Sequence, residues 1–237
     1  MGGMGRKFTG RRLAWSAAAG AVILATTGVA GYAIKNQIAE TNACRSVESH
    51  ISTNGAVIHA SKGAPTVAVL GDSYTAGDGL DDRVHGWAHR LGETEGWDAH
   101  LAGVSSTGYI NGGFCGTHSF PERIAQALAV KPDTLIIQGG LNDWETPGED
   151  VELAAGLLLS RLTDVRRVVL VGPTNAPSRD NLEAVDRALT TAAAKHNREY
   201  VSALGWELEF LPDRLHLTPA GHQNFADRVA AAIRTAA

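Results

Sequence analysis

The chain has 237 residues, 44% hydrophobic and 19% charged, which suits one domain with its own core and excludes wholesale disorder. A formal charge of −4 and a pI near 6.1 argue against a nucleic-acid binder working through a basic face, and two cysteines are too few for a disulfide scaffold or a four-thiolate zinc site. The charge is unevenly spread: Arg6, Lys7, Arg11 and Arg12 are the only charges before residue 35, and the other 17 of the 21 basic residues face 25 acidic ones, a balance of −8.

The first element follows that basic cluster. Residues 13–34 are 22 residues without a charge, and a helix of that length rises roughly 33 Å, enough to cross a hydrocarbon core. The positive flank stays cytoplasmic, so everything after Lys35 is expected outside the cytoplasm, in a bacterial cell envelope or secreted. An uncleaved signal anchor fits the length. A cleaved signal is the alternative, with Gly31-Tyr32-Ala33 as its best small-x-small site. Residues 1–34 are therefore read as a basic N-terminus plus anchor or signal, 35–63 as an exported stalk, and 64–237 as the domain. Cys44 is no lipoprotein cysteine, because Thr41-Asn42-Ala43 lacks the residues such a signal needs. In an oxidising compartment Cys44 and Cys115 form the one possible intrachain pair, and a bridge between them is expected to pin the stalk to the domain.

From residue 64 onward, short apolar runs alternate with amphipathic stretches. Strands are predicted at 66–70, 99–104, 134–138 and 167–171, with a weaker one at 199–204. Helices are predicted at 84–95, 121–130, 149–163, 178–197 and 219–236. Ser178 is the expected N-cap of the fourth, and Thr218 with Pro219 that of the last. This alternation predicts an α/β fold: a three-layer α/β/α sandwich with a five-stranded, mostly parallel sheet. In such sheets chemistry gathers in the loops at the carboxyl ends of the strands.

Three of those loops carry polar residues. The first strand runs into GDSYTAGDG (71–79), where Ser73 is either a presented nucleophile or a capping serine in a glycine-rich turn; neither GxxxxGK[ST] nor GxGxxG is present. The strand at 134–138 ends in GGLND (139–143), whose Asn142 is either a turn residue or an amide aimed at a developing oxyanion. Before the last helix comes DRLHLTPAGH (213–222), in which Asp213 can orient the imidazole of His216.

In this order, the three blocks resemble the SGNH hydrolases, also called the GDSL family, over about residues 64–237. The resemblance implies the flavodoxin-like SGNH fold and a carboxylic ester hydrolase. It implies Ser73 as nucleophile, His216 as general base and acid, and Asp213 as the group orienting the histidine. Asn142 and the main-chain N–H of Ser73 match two of the family's oxyanion donors. A third donor is usually a glycine in a pattern like G-x-S-G; here the stretch is 102–108, AGVSSTG, with Ser106 where that glycine is expected and Gly103 or Gly108 as alternative matches. No metal or organic cofactor is implied. A neutral histidine as base predicts activity that falls below about pH 6. The expected partner is a small-molecule or polysaccharide ester acted on by a monomer. Because the family spans lipases, thioesterases and carbohydrate deacetylases, the resemblance does not choose the ester. Acyl transfer by the same residues and a glycan-binding module of the same fold are the competing functions.

Other residues are read as structural. His85 and His89 lack the HExxH pattern of a metal site, and His222 is expected on a helix surface. Asp72 and Asp143 are expected to brace loops, and Asp78, Asp81 and Asp82 to form a solvated acidic loop. Residues 108–118, with Tyr109, Asn111, Phe114 and His118, are expected as a mobile loop lining the cleft. Trp87 and Trp144 floor either the site or the core.

Overall fold

The computed structural model describes residues 35–49, 56–58 and 62–235. The chain divides into two units, 1–43 and 44–237. The described part of the first is helical; the same helix, α1, covers 35–49 and so carries the opening residues of the second. The segment at 13–34 expected to meet the membrane lies outside the described residues, among which no helix is long and apolar enough to span one.

The second unit carries one six-stranded sheet in the order β1-β3-β2-β4-β5-β6. Its strands are β1 (Ala56–Ile58), β2 (Thr66–Gly71), β3 (Asp98–Gly103), β4 (Thr134–Gln138), β5 (Arg167–Val171) and β6 (Glu199–Val201). The last five are parallel, as expected from apolar runs joined by helices. The addition is β1, which lies within the segment read as a stalk and pairs antiparallel with β3. Three residues, Ala56-Val57-Ile58, give no alternation to read, so an edge strand this short leaves no sequence signature.

Period-two alternation divides each central strand between two cores. Leu135 and Ile137 of β4 face one side with Leu70 and Leu170, under α4 (Phe120–Leu128), α5 (Gly148–Ser160) and α6 (Leu182–Lys195). Ile136 faces the other with Val69 and Val169, under α3 (Trp87–Glu95) and α7 (Pro219–Thr235). The runs are apolar throughout because both faces of the sheet are covered. Trp87 is wholly buried in the second core, where its ring meets Phe225 edge-on with centroids 5.1 Å apart.

Two element starts depart from expectation or confirm it for local reasons. Ser178 does not cap α6. Its N–H donates to the carbonyl of Arg214, which holds 178 in the preceding loop, and Asn181, left-handed at φ 58°, takes the cap position. Thr218 does cap α7, its hydroxyl accepting the N–H of Gly221 at 3.0 Å.

Register decides what meets at the carboxyl edge. Gly71, the last residue of β2, pairs with Gly103 on one side and Gln138 on the other. The loops after β2, β3 and β4 therefore start level with each other. Gly103 permits a close main-chain approach there: a Cβ on it would lie 2.2 Å from the main-chain nitrogen of Ala76.

Candidate active site

Ser73 opens the four-residue helix α2 (Ser73–Ala76) at the tip of β2. The Asp72 side chain accepts the Tyr74 N–H at 2.9 Å, and Gly77, left-handed at φ 75°, closes the turn. As the first helical residue, Ser73 has a main-chain N–H that the helix itself does not use. Asp72 thus braces the loop, as expected, and is wholly buried. Burial pushes its carboxyl up to about 7 against the Tyr74 N–H, the Gln138 side chain and the charge of His216, which favour the ionised form.

Asp213 and His216 lie on the loop before α7. The carboxylate takes His216 Nδ1 at 2.7 Å through one oxygen and the N–H groups of Leu215 and His216 at 2.9 and 3.0 Å through the other. Burial acts to raise the Asp213 pKa, but those two backbone donors and the imidazole outweigh it and hold the carboxyl below its ordinary range. Two contacts bring this loop against the nucleophile turn. Tyr74 donates its hydroxyl to the carbonyl of Leu215 at 2.7 Å, and a Cβ on Gly79 would lie 3.2 Å from the His216 Cβ.

Asn142 sits in the 3-10 turn Leu141–Asp143 after β4. Its amide donates to the carbonyl of Thr107 at 3.0 Å, placing it beside the loop after β3. Within that loop Ser106 is left-handed at φ 60°, a conformation that favours glycine. Gly108 is fixed by a different demand, since a Cβ there would lie 2.3 Å from the Asp143 carboxylate. The sequence leaves 103, 106 and 108 as alternatives for the third donor. Gly103 and Gly108 are each accounted for by close packing.

The stretch 108–118, expected as a mobile loop, is tied to its surroundings at several points. Asp143 is buried and accepts the N–H groups of Tyr109, Ile110 and Asn111 at 2.8, 3.0 and 3.0 Å. Burial raises its pKa in spite of those three donors. Tyr109 is a core residue packed on Phe120, and only Ile110, Asn111, Phe114, Gly116 and Thr117 are exposed. Cys115 closes the loop with a disulfide to Cys44, their Cα atoms 4.8 Å apart.

Other readings change with the structure. Asp78 does more than sit in a solvated loop: it pairs with Arg83 at 3.1 Å, accepts the Ser105 hydroxyl, and its N–H donates to the Ser73 carbonyl at 2.9 Å. Asp82 caps the turn Arg83–His85. His222 is fully buried rather than on a helix surface, because position 222 falls on the same stripe of α7 as Phe225 and Val229. His85 is exposed and His89 pairs with Glu93 at 3.6 Å. Among the described residues the one cluster with metal-ligand spacing is Cys44, Glu48 and Cys115, where both thiols are taken by the disulfide. Trp144 is half-buried under the guanidinium of Arg179, 5.5 Å from its ring centre.

Arg123 is the supporting residue that sequence reasoning missed. Buried beneath the site on α4, it donates to the carbonyls of His118, Ala102 and Gly71 at 2.8, 2.8 and 2.9 Å and to the Thr107 hydroxyl at 3.0 Å. Burial lowers its pKa to about 10, which leaves it cationic at neutral pH. The available signal was an arginine on the apolar stripe Phe120, Ile124, Ala127.

The fold is a three-layer α/β sandwich whose polar residues lie on the loops after β2, β3 and β4 and on the loop before α7. The model of the GDSL-like Lipase/Acylhydrolase family matches residues 69–223, and the chain belongs to that family, a carboxylic ester hydrolase by class. No curated protein matches the chain. Among solved structures it is similar to TesA, at 22% identity over 72% of this chain and 98% of that one, TM-score 0.58. It is also similar to the aryl esterase of M. smegmatis, at 19% identity over 73% and 99%, TM-score 0.59. A third is a carbohydrate esterase family 2 enzyme with a carbohydrate-binding domain from Corynascus thermopiles (Myceliophthora fergusii), at 17% identity over 76% and 68%, TM-score 0.62. At these identities the likeness concerns the fold.

Proposed function

We propose that this ester hydrolase is an extracytoplasmic serine esterase acting on short-chain acyl esters, O-acetyl groups on polysaccharide included, through an acyl-enzyme on Ser73. The observation that carries the reading is the Asp213 carboxylate on His216 Nδ1 at 2.7 Å, on a loop bonded to the turn that holds Ser73. With Nδ1 so engaged, Nε2 is the nitrogen available to take the Ser73 proton as the serine oxygen attacks the ester carbonyl. The oxyanion is met by the main-chain N–H groups of Ser73 and Ser106 and by Asn142. One Asn142 amide hydrogen is used by Thr107, which leaves the second for substrate. The alcohol leaves with the proton from His216, and water then attacks the acyl-enzyme by the reverse proton route.

A short acyl group suits the site because, among the described residues, the loops at this edge carry no long apolar insertion. Export rests on the basic cluster and uncharged stretch at 13–34 together with the disulfide. A chromogenic acetate-to-octanoate panel with Ser73→Ala beside the wild type tests the chemistry: turnover is expected to fall off toward octanoate and to vanish in the variant. Equal inactivity of both proteins would favour a glycan-binding role, and phosphonate labelling at any residue other than Ser73 would refute the assignment. Membrane fractionation with N-terminal sequencing tests the anchor against a cleaved signal.

A further inference from the structure

The four-residue block that gives the family its name ends in leucine, and here that position is Tyr74. Tyr74 is 1% exposed, with the rings of His222 and Phe225 each at 6.1 Å, so its hydroxyl has been carried into the protein and must find partners. It finds two. It donates to the Leu215 carbonyl at 2.7 Å, and the Thr174 hydroxyl, 3.1 Å away, is left to donate to it.

The carbonyl of Leu215 and the N–H of His216 belong to one peptide unit. Asp213 accepts that N–H at 3.0 Å while Tyr74 donates to that C=O at 2.7 Å, so the peptide plane entering His216 is held at both ends. At the other side of the ring, Tyr74 is covalently next to Ser73, and its own N–H is fixed by Asp72 at 2.9 Å. Nucleophile and histidine lie on loops far apart in sequence, and Tyr74 joins them by one side chain.

We infer that Tyr74 is a positioning residue that sets the reach from His216 to Ser73, a function leucine in the same place cannot perform; the inference rests on the serine-esterase reading above. Burial raises the pKa of its phenol, so the donor persists through the pH range of any ester assay. Reacting groups displaced by about 1 Å can lose on the order of 10²-fold in rate.

The test compares Tyr74→Phe, Thr174→Val, Ser73→Ala and wild type. Tyr74→Phe keeps the ring and removes the bond to Leu215. Thr174→Val also removes a buried hydrogen bond but leaves the one to Leu215. In Tyr74→Phe, kcat and the rate of phosphonate labelling at Ser73 are each expected to fall about 10- to 100-fold, with KM within about twofold. Thr174→Val should lower the melting temperature comparably and keep kcat. If Tyr74→Phe shows no cooperative melt, Tyr74→Leu takes its place with the same expectation. The inference is overturned if Tyr74→Phe labels and turns over within about twofold of wild type, or if both hydroxyl variants lose activity in step with melting temperature. Inert Ser73→Ala beside intact Tyr74→Phe would sink this inference alone. A wild type that neither turns over nor takes label at Ser73 would sink the esterase reading with it.

Discussion

His222 should make the protein lose stability in acid, by an amount that a single substitution removes. Its Nδ1 accepts the main-chain N–H of Trp87 at 3.2 Å, so that nitrogen must be free of a proton, and the buried Nε2 has no hydrogen-bond partner among the described residues. Burial first, then the positive charges of Arg90 and His216, hold its pKa down to about 4 from 6.5. Between those values the unfolded chain takes up a proton that the folded chain refuses. Stability is therefore present in full above pH 6.5 and is lost as pH falls toward 4, by about 3 kcal/mol at 1.36 kcal/mol per pH unit. Asp72 runs the other way: its carboxyl, raised from 3.8 to about 7, makes the folded state the better proton binder, so it weakens the fold as pH rises through that window. The wild-type profile mixes the two. His222→Gln retains an acceptor oxygen for the Trp87 N–H and has nothing to protonate. Urea unfolding of both proteins from pH 4 to pH 8 should show the variant gaining about 3 kcal/mol on wild type between pH 7 and pH 4, with the Asp72 contribution cancelling in the difference. A difference that stays constant across that range would refute the reasoning.

The remaining predictions concern the site and its staple. Asp213→Asn keeps the shape but presents the wrong partner to Nδ1, so kcat should fall about 10³- to 10⁴-fold in steady-state ester hydrolysis while the melting temperature changes little. Asn142→Ala removes a proposed oxyanion donor and is expected to cost about 10²- to 10³-fold in kcat, with KM nearly unchanged. The Cys44–Cys115 bridge spans a separation of 71 residues, and chain entropy assigns it about 4 kcal/mol, so the double serine variant should show that loss in urea unfolding. Intact mass with and without reductant checks the bridge itself, by two hydrogens.

The parallel core of the fold was readable because buried strands are unbroken apolar runs: 134–138 and 167–171 are β4 and β5 to the residue. Two site blocks were readable because they follow strands directly, GDSYTAGDG after β2 and GGLND after β4, and the third from Asp213 and His216 standing three apart before the last helix. What escaped depends on pairings that sequence does not carry. Tyr74 bonds a main-chain carbonyl 141 positions away, which no residue type at 215 could announce. Asp78 looked solvated beside Asp81 and Asp82, since its partner Ser105 arrives from the loop after β3. His222 and Arg123 were different, for both lie on apolar helical stripes and could have been read as buried. Discounting a polar residue on such a stripe misplaced the first and passed over the second.

Arg123 and Asp143 also explain how a serine can hold the left-handed conformation at position 106. A left-handed serine at 106 costs about 1 kcal/mol relative to glycine, and such a conformation persists where its surroundings fix the chain on both sides. Here they do so with two buried polar side chains that need not meet. The Arg123 guanidinium holds the carbonyls of Ala102 and His118 and the Thr107 hydroxyl, while the Asp143 carboxylate gathers three N–H groups from 109 to 111. Main-chain groups satisfy each side chain, and the loop between them has little freedom left to relax the strain. The N–H proposed as oxyanion donor at Ser106 is thus aimed by the loop's anchoring rather than by the conformational ease of its own residue.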